Sequence, residues 1–483
     1  MPDPGWPRHN LQRDRNGALT RIGLLTPYDG SNLGDGTIQT AVIHHLRRRD
    51  PHIELLGLTL DPEDTQQRHE IPGFGITGLS VPSYSEGLLL GAGPVARTPA
   101  ATTPPAADTG EPESREGGLR QALKSIPLLG PMLRALLRTV RSARRWVPEL
   151  RHLRASLRTV RDLDLLLISG GGQLDEEFGG PWGHPYVLFR WVTLARLTGT
   201  PVAFASVGVG YMNRRLSRFF IRAALKGAKY RSFRDPGSLE RVAAWGFTRH
   251  DPCAPDLAFG APVPVPAPGR EPKDVMVVGV SPMIYGHAKH WPTARQQVYE
   301  GYARRLAEFA AGLLEDGHTL LLFQSSGADR VALADLRASL IARFGPSITP
   351  RLREPEVRSV EQFFREVAAA DLVIASRLHG VLMSHLLGKP VVAISFDRKV
   401  DAHMETMGLS DYRLDIARFE SAELRERFAS LVAHRREISA QVVERVARFR
   451  AELDRQFDTL LGLAGAAPAP EPPSPVLQDA SHG

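Results

Sequence analysis

The sequence predicts an α/β protein with two Rossmann-like domains facing across a cleft, the first carrying a basic helical insertion. Three observations lead there. Short apolar runs of strand length alternate with helix-period segments on both sides of residue 260, the pattern of parallel sheets covered by helices. A stretch with five prolines in twelve residues, 261–272, separates the two series and reads as a stiff linker. Between 118 and 161 stand eleven basic residues and one acid, Glu149, so this window's net +10 exceeds the whole chain's +7. The positive balance therefore belongs to one segment and does not describe a nucleic-acid surface. At roughly 150 residues per domain, 483 residues suit this plan.

In chain order, 1–20 read as a disordered tail, and 21–260 as the first domain with its insertion at about 60–161. Arg21–Thr26 is a buried strand, Thr37–Arg48 a helix with Ile38, Ala41, Val42, His45 and Leu46 on one face, and Ile53–Leu58 a second strand. From about Asp61 the signal fades. It resumes at the strand Leu163–Ser169, a helix through about Thr198, the strand Pro201–Ser206, the helix Arg215–Gly227, the strand Tyr230–Phe233 and the helix Gly237–Trp245. The second domain, 273–462, opens with the strand Val275–Val280, the helix Ala294–Leu314 and the strand Thr319–Gln324. Helices at about 330–343 and 360–369 follow, then the strand Leu372–Ala375, the helix Gly380–Leu387 and the strand Pro390–Ser395. Helical sequence runs on to about Gly462, and 463–483 read as a second disordered tail.

Composition excludes several functions. A single cysteine, Cys253, rules out an internal disulfide and a thiolate-built metal site, and points to a reducing compartment. Residues 1–17 contain no apolar core of a signal peptide, and no stretch nears the ~20 apolar residues of a membrane span. The expected location is the cytoplasm, free or peripheral on the inner face of the membrane.

Three loops carry the chemistry. Tyr28–Gly36 joins the first strand to the first helix; Gly30, Gly34 and Gly36 allow close backbone approach and positive φ, and the helix start favours an anion. There Asn32 and Asp35 suit backbone groups or sugar hydroxyls, with Asp35 as a plain helix N-cap the competing reading. It is not a P-loop, since the GK[ST] ending is missing. Ser169–Gln173, with Gly171 and Gly172, is either a strand end approached by a ligand or a tight turn. In Ala375–Gly380, Arg377 and His379 flank a strand-to-helix turn with Leu378 and Gly380, and Lys399 follows the next strand at the same sheet edge. Convergent cations at a helix N-terminus call for compensation, by an anionic ligand or by ion pairs with Asp371, Asp397 or Asp401. Arg234 ends a strand and reaches toward the cleft, with Asp235 or Ser238 as helix caps. No His/Asp spacing demands a metal, and His44, His45 and His403 read as core or surface residues.

Taken together, NLGDGTIQTA (32–41), ISGGGQL (168–174), RDPGSLE (234–240), DLAF (256–259), ADLVIASRLHGVLMSHLLGKP (370–390) and the lysine of FDRK resemble the polysaccharide pyruvyl transferase family, in order and across about 21–401 outside the insertion. The resemblance implies a GT-B-like fold and transfer of pyruvate from phosphoenolpyruvate onto two hydroxyls of a sugar, as a cyclic ketal. The acceptor, a glycan or lipid-linked saccharide, would meet the first domain and phosphoenolpyruvate the second. It implies that Arg377 and Arg234 hold phosphoenolpyruvate anions, that His379 moves a proton or binds phosphate, and that Lys399 completes the anion site. Asp35 would orient or deprotonate the acceptor. Asn32, Gly34, Gly171, Gly172, Leu378 and Gly380 would line the substrate, with no cofactor and no metal. Phe396 stands where the family commonly has Tyr. A nucleotide-sugar glycosyltransferase of the same architecture and a non-catalytic glycan- or anion-binding protein are the alternative readings.

In the insertion, apolar residues at 128, 129, 132, 133, 136, 137 and 140 oppose Arg134, Arg138, Arg141 and Arg145, an amphipathic basic helix. The segment 118–161 is expected either to meet an anionic membrane surface or to pack as a lid. It lacks the interleaved aromatics of a nucleic-acid binder.

Overall fold

Apolar runs of four to six residues, too short for helices and bounded by Gly, Pro and Asp, give two all-parallel sheets in a computed structural model of the chain. The structure describes residues 19–28, 30, 32–77, 150–176, 179–210, 212–247, 250–263, 275–291 and 294–465. These fall into two compact units, 19–76 with 157–465, and 77 with 150–156. The smaller unit is helical over 150–156, where Ser156 Oγ and His152 Nδ1 are 3.1 Å apart. Both expected tails (save a few residues at their inner ends), most of the Pro-rich linker and the amphipathic basic helix lie outside the described residues.

In the larger unit, the N-terminal sheet contains β1 (Arg21–Leu25), β2 (Glu54–Thr59), β3 (Gly73–Gly75), β4 (Leu165–Ser169), β5 (Val202–Val207) and β6 (Tyr230–Phe233), in spatial order 3-2-1-4-5-6. The C-terminal sheet contains β7 (Val277–Ser281), β8 (Thr319–Leu322), β9 (Leu352–Arg353), β10 (Leu372–Ala375), β11 (Val391–Ser395) and β12 (Arg413–Asp415), in order 12-11-10-7-8-9. Counted from its own first strand, each sheet has the same winding. β4, β5, β10 and β11 are buried along their whole length, as strands covered on both faces must be. The helices are α1 (Leu33–Arg49), α2 (Pro62–His69), α3 (His184–Thr198), α4 (Arg215–Gly227), α5 (Pro236–Ala243), α6 (Gln296–Glu315), α7 (Arg330–Phe344), α8 (Val360–Val367), α9 (Leu378–Leu386), α10 (Arg398–Met407), α11 (Ser421–Ala433) and α12 (Arg435–Leu463).

The structure departs from the sequence reading at four places. Residues 62–75, expected to open the insertion, instead form α2 and the edge strand β3 of the first sheet. β9 and β12 are edge strands of two and three residues, too short to show a period. The expected helix after Gly172 begins only at His184. α1 begins at Leu33, because the Asn32 side chain accepts from Gly34 N at 3.0 Å and caps the helix. Asp35 is therefore a first-turn residue and not the cap. Gly30 has positive φ, whereas Gly34 and Gly36 are helical.

The two sheets are tied together in one unit. Asn32 and Ser326 form an antiparallel bridge, and Leu33 N donates to Ser325 O at 3.1 Å. α12 crosses from one half to the other: Ser439 Oγ donates to Gly388 O, and about five turns further on Phe457 stacks on His45 while Gln456 bonds Ser206.

Candidate active site

In an open parallel sheet the crevice lies beyond the strand ends where the winding reverses, between its first and fourth strands. Here that places the loops after β1 and β4 opposite those after β7 and β10. Thr26, Asn32, Asp35, Ser169, Gly171, Gly172, Gln173, Arg234, Trp291, Arg377, Leu378, His379, Phe396, Asp397 and Lys399 line one cavity of about 170 Å³ there. Of the residues expected to act in catalysis or to line the substrate, Gly34 and Gly380 do not line this cavity. Gly34 lies against the His379 ring: a Cβ at 34 would sit 1.9 Å from His379 Cγ and Nδ1. Gly380 lies in the first turn of α9, where a Cβ would meet Ser325 Oγ at 3.5 Å. Gly171 has φ +66°, and a Cβ there would lie 3.5 Å from Asp35 Oδ1; one on Gly172 would lie 3.8 Å from Lys399 Nζ. The glycine loop thus brings bare backbone up to charged groups of both halves.

The cations are compensated by ion pairs, although only one of the three aspartates expected from the sequence, Asp397, takes part. Arg377 makes a two-pronged contact with Asp329, its Nη2 donating to Oδ1 at 2.9 Å and its Nε to Oδ2. Asp329 is buried and also accepts from Ile284 N at 3.1 Å. Arg234 donates through Nη1 to Asp256 at 3.1 Å, and its Nε lies 3.6 Å from Asp235. Burial opposes that guanidinium's charge, but Asp256 and Asp235 outweigh it and hold its pKa above the ordinary value. Lys399 Nζ is 3.8 Å from Asp397, which also caps α10. Asp371 instead accepts from Val277 N, and Asp401 pairs with Arg413. Asp235 caps α5 by accepting from Ser238 N at 2.7 Å, so Arg234 reaches the cavity while its neighbour serves the helix.

What the protein leaves unanswered is a set of buried polar atoms. Among the described residues, Ser169 Oγ, Arg234 Nη2 and His379 Nε2 are buried without a hydrogen-bond partner, and all three residues line this cavity. No side chain caps α9, which starts at Leu378 on the cavity wall, so the positive end of this helix lies at the cavity. Burial pushes the His379 pKa down to about 4; Asp256 opposes this, and Arg234, Lys399 and Arg377 add to it, so the imidazole is neutral near pH 7. Asp35 is oriented by Asn32 Nδ2, which donates to its Oδ2 at 3.0 Å.

Sequence reasoning missed several contributors. Trp291 sits on a bend and Asp329 ends a 3-10 turn that leads into α7, neither within a motif, and only the topology delivers them. Trp291, Tyr285 and Phe396 form an aromatic wall with ring centroids 5.2 to 5.8 Å apart, and the Arg377 guanidinium lies 6.0 Å from the Trp291 ring centre. Asp256 stood in a noted motif without a role. His403, read as a core or surface residue, lies against a buried histidine: its Nε2 is 2.9 Å from His385 Nδ1, and burial drives both pKa values down, His403 to about 4. Among the described residues no group of three or more His, Cys, Asp or Glu side chains is placed to hold a metal, and no helix is long and apolar enough to cross a membrane.

The family model for polysaccharide pyruvyl transferase matches residues 32–398. Among solved structures, the chain is similar to a glycosyltransferase from Rickettsia africae (TM-score 0.52, 9% identity, 93% of this chain and 100% of that one). It is similar also to a UDP-N-acetylglucosamine 2-epimerase (0.51, 11%, 92% and 96%) and to S. aureus MnaA in a UDP co-structure (0.50, 8%, 93% and 98%). At such identities the likeness establishes the fold, two Rossmann-like domains of GT-B type. No curated protein matches the sequence.

Proposed function

The chain belongs to the polysaccharide pyruvyl transferase family, and on that premise we propose that it transfers pyruvate from phosphoenolpyruvate to two hydroxyls of one sugar residue in a polysaccharide or its lipid-linked precursor. The observation that carries this reading is the trio of unpartnered buried polar atoms, Ser169 Oγ, Arg234 Nη2 and His379 Nε2, on one cavity beside an uncapped helix start. Two nitrogens, a hydroxyl and the positive end of a helix suit a small, highly charged oxyanion better than a neutral sugar.

The reaction balances without a cofactor. One acceptor hydroxyl adds to C2 of phosphoenolpyruvate as C3 gains a proton and becomes methyl. The C2–O bond to phosphate breaks, and the second hydroxyl closes the ketal. Of the two protons the hydroxyls give up, one is accounted for at C3 and the other leaves on phosphate. Arg377, held flat by Asp329, presents a fixed guanidinium edge to the carboxylate or phosphate. The α9 N-terminus and Lys399 stabilise the departing phosphate. Asp35, aimed by Asn32, takes the acceptor proton, and neutral His379 exchanges a proton with the phosphate or the enol carbon. Phe396, in place of the family's common Tyr, brings no hydroxyl beside Lys399, so Lys399 itself supplies the charge there. The Trp291–Phe396 wall offers an apolar face to the acceptor ring.

Thermal melting tests the reading. Phosphoenolpyruvate should raise the melting temperature, and Arg377→Ala should abolish the shift. A shift with UDP-N-acetylglucosamine and none with phosphoenolpyruvate would replace the proposal with a nucleotide-sugar activity.

A further inference from the structure

Away from the cavity, α4 has the sequence RLSRFFIRAALKG, with basic side chains at 215, 218, 222 and 226 along one stripe and no acid. All four cations, Arg215, Arg218, Arg222 and Lys226, line a shallow groove of about 680 Å³ together with Phe219 and Trp245, and no carboxylate lines it. Beside the cations stand apolar side chains in water: Phe219 is 58% exposed, Trp182 56% and Leu216 39%. The rings are not loose. Trp182 and Phe219 both rest on the buried Phe220, at centroid distances of 5.6 and 5.8 Å.

We propose that this face of α4 docks on an anionic phospholipid bilayer. The charge fixes the sign of the partner: a second copy of the chain would bring four cations against four. A nucleic-acid duplex would answer the cations but leave Leu216, Phe219 and Trp182 in water. An anionic bilayer takes both, lipid phosphates meeting the Arg and Lys heads while the rings enter the headgroup layer. The start of α4 lies at the same edge of the N-terminal sheet as the glycine loop after β4, because helices of a parallel sheet begin at its strand ends. Docking would hold that edge near the lipid. These residues are distinct in sequence from the basic segment 118–161, and the inference stands or falls independently of the phosphoenolpyruvate reading.

The test is sedimentation of the full chain with vesicles of phosphatidylglycerol and phosphatidylcholine, and with phosphatidylcholine alone. The parent should sediment with the anionic vesicles only, and less as salt rises. The triple variant Arg215→Ser, Arg222→Ser, Lys226→Ser should lose about 100-fold in partitioning, at roughly fivefold per cation. Trp182→Ser with Phe219→Ser should lose about tenfold or more with the charge untouched. All these positions are exposed, and an unchanged melting temperature checks that the variants fold. The proposal is overturned if the parent does not sediment, if both variants sediment as the parent does, or if a single-stranded oligonucleotide binds the parent more tightly than the anionic vesicles do.

Discussion

Gly34 offers the sharpest perturbation of the cavity. It sits in the first turn of α1, and α1 is held in place at both of its first residues, by the Asn32–Ser326 bridge and the Leu33 N to Ser325 O bond. In Gly34→Ala the new methyl would lie 1.9 Å from His379 Cγ and Nδ1. Ordinary carbon contacts begin near 3.5 Å, so ring and helix must part by roughly 1.5 Å. Either the imidazole turns out of line with Lys399 and Arg234, or α1 lifts and carries Asp35 away. Overpacking of this kind costs about 1–3 kcal/mol, which leaves a folded protein. A displacement on that scale at a reacting group costs on the order of 100-fold in rate. The assay is phosphate release from phosphoenolpyruvate with a panel of glycan acceptors. The variant should retain some phosphoenolpyruvate-induced rise in melting temperature, since Arg377 and α9 are untouched, yet lose about two orders of magnitude in kcat/KM. A folded Gly34→Ala protein with the parent's rate would refute the claim that α1 sets the position of His379.

Three further outcomes follow. Asp329→Asn removes the buried counter-charge of Arg377 and should lower stability by on the order of 3 kcal/mol in urea unfolding; an unchanged midpoint would mean that the pair does not hold the arginine. His379 is neutral in the free protein because its pKa lies near 4, and a bound phosphate raises it, so phosphoenolpyruvate binding at pH 7 should take up protons. Calorimetry in buffers of different ionisation enthalpy reads the uptake, and His379→Asn should diminish it; equal uptake in both proteins would remove His379 from contact with the phosphate. His69, His184, His379 and His403 all have pKa values lowered from 6.5 to about 4, so the unfolded chain binds more protons between those limits. Stability is therefore full above pH 6.5 and falls as pH drops toward 4; a urea midpoint that rises from pH 7 to pH 5 would contradict this burial.

The main strands were legible because their residues are apolar on both faces, and Arg215–Gly227, Tyr230–Phe233 and Leu372–Ala375 match the structure at both ends. α2 was not, although Asp61 caps it and Pro62 opens it, because PEDTQQRH has no apolar stripe to mark a period. The edge strands β3, β9 and β12 have two or three residues, shorter than any alternation that could reveal them. At the cavity, motif reasoning found the groups on the β1, β4 and β10 turns, since the winding of each sheet sends those turns to one crevice. It named Asp397, which does pair with Lys399, but not Asp329 and Asp256, the counter-charges of the two arginines. Asp329 is far from Arg377 in sequence and belongs to a different turn, so only the fold could show that the arginine is already paired. Gly34 was noted for its freedom of φ, but its value is its lack of a side chain against His379.

The most direct measurement is the product of incubating the protein with phosphoenolpyruvate and lipid-linked or polymeric glycans. Inorganic phosphate should be released in equal amount to a glycan bearing a pyruvate ketal, with both lost in Arg377→Ala. Phosphate release without ketal, or a glycan extended only when a nucleotide sugar is supplied, would contradict it.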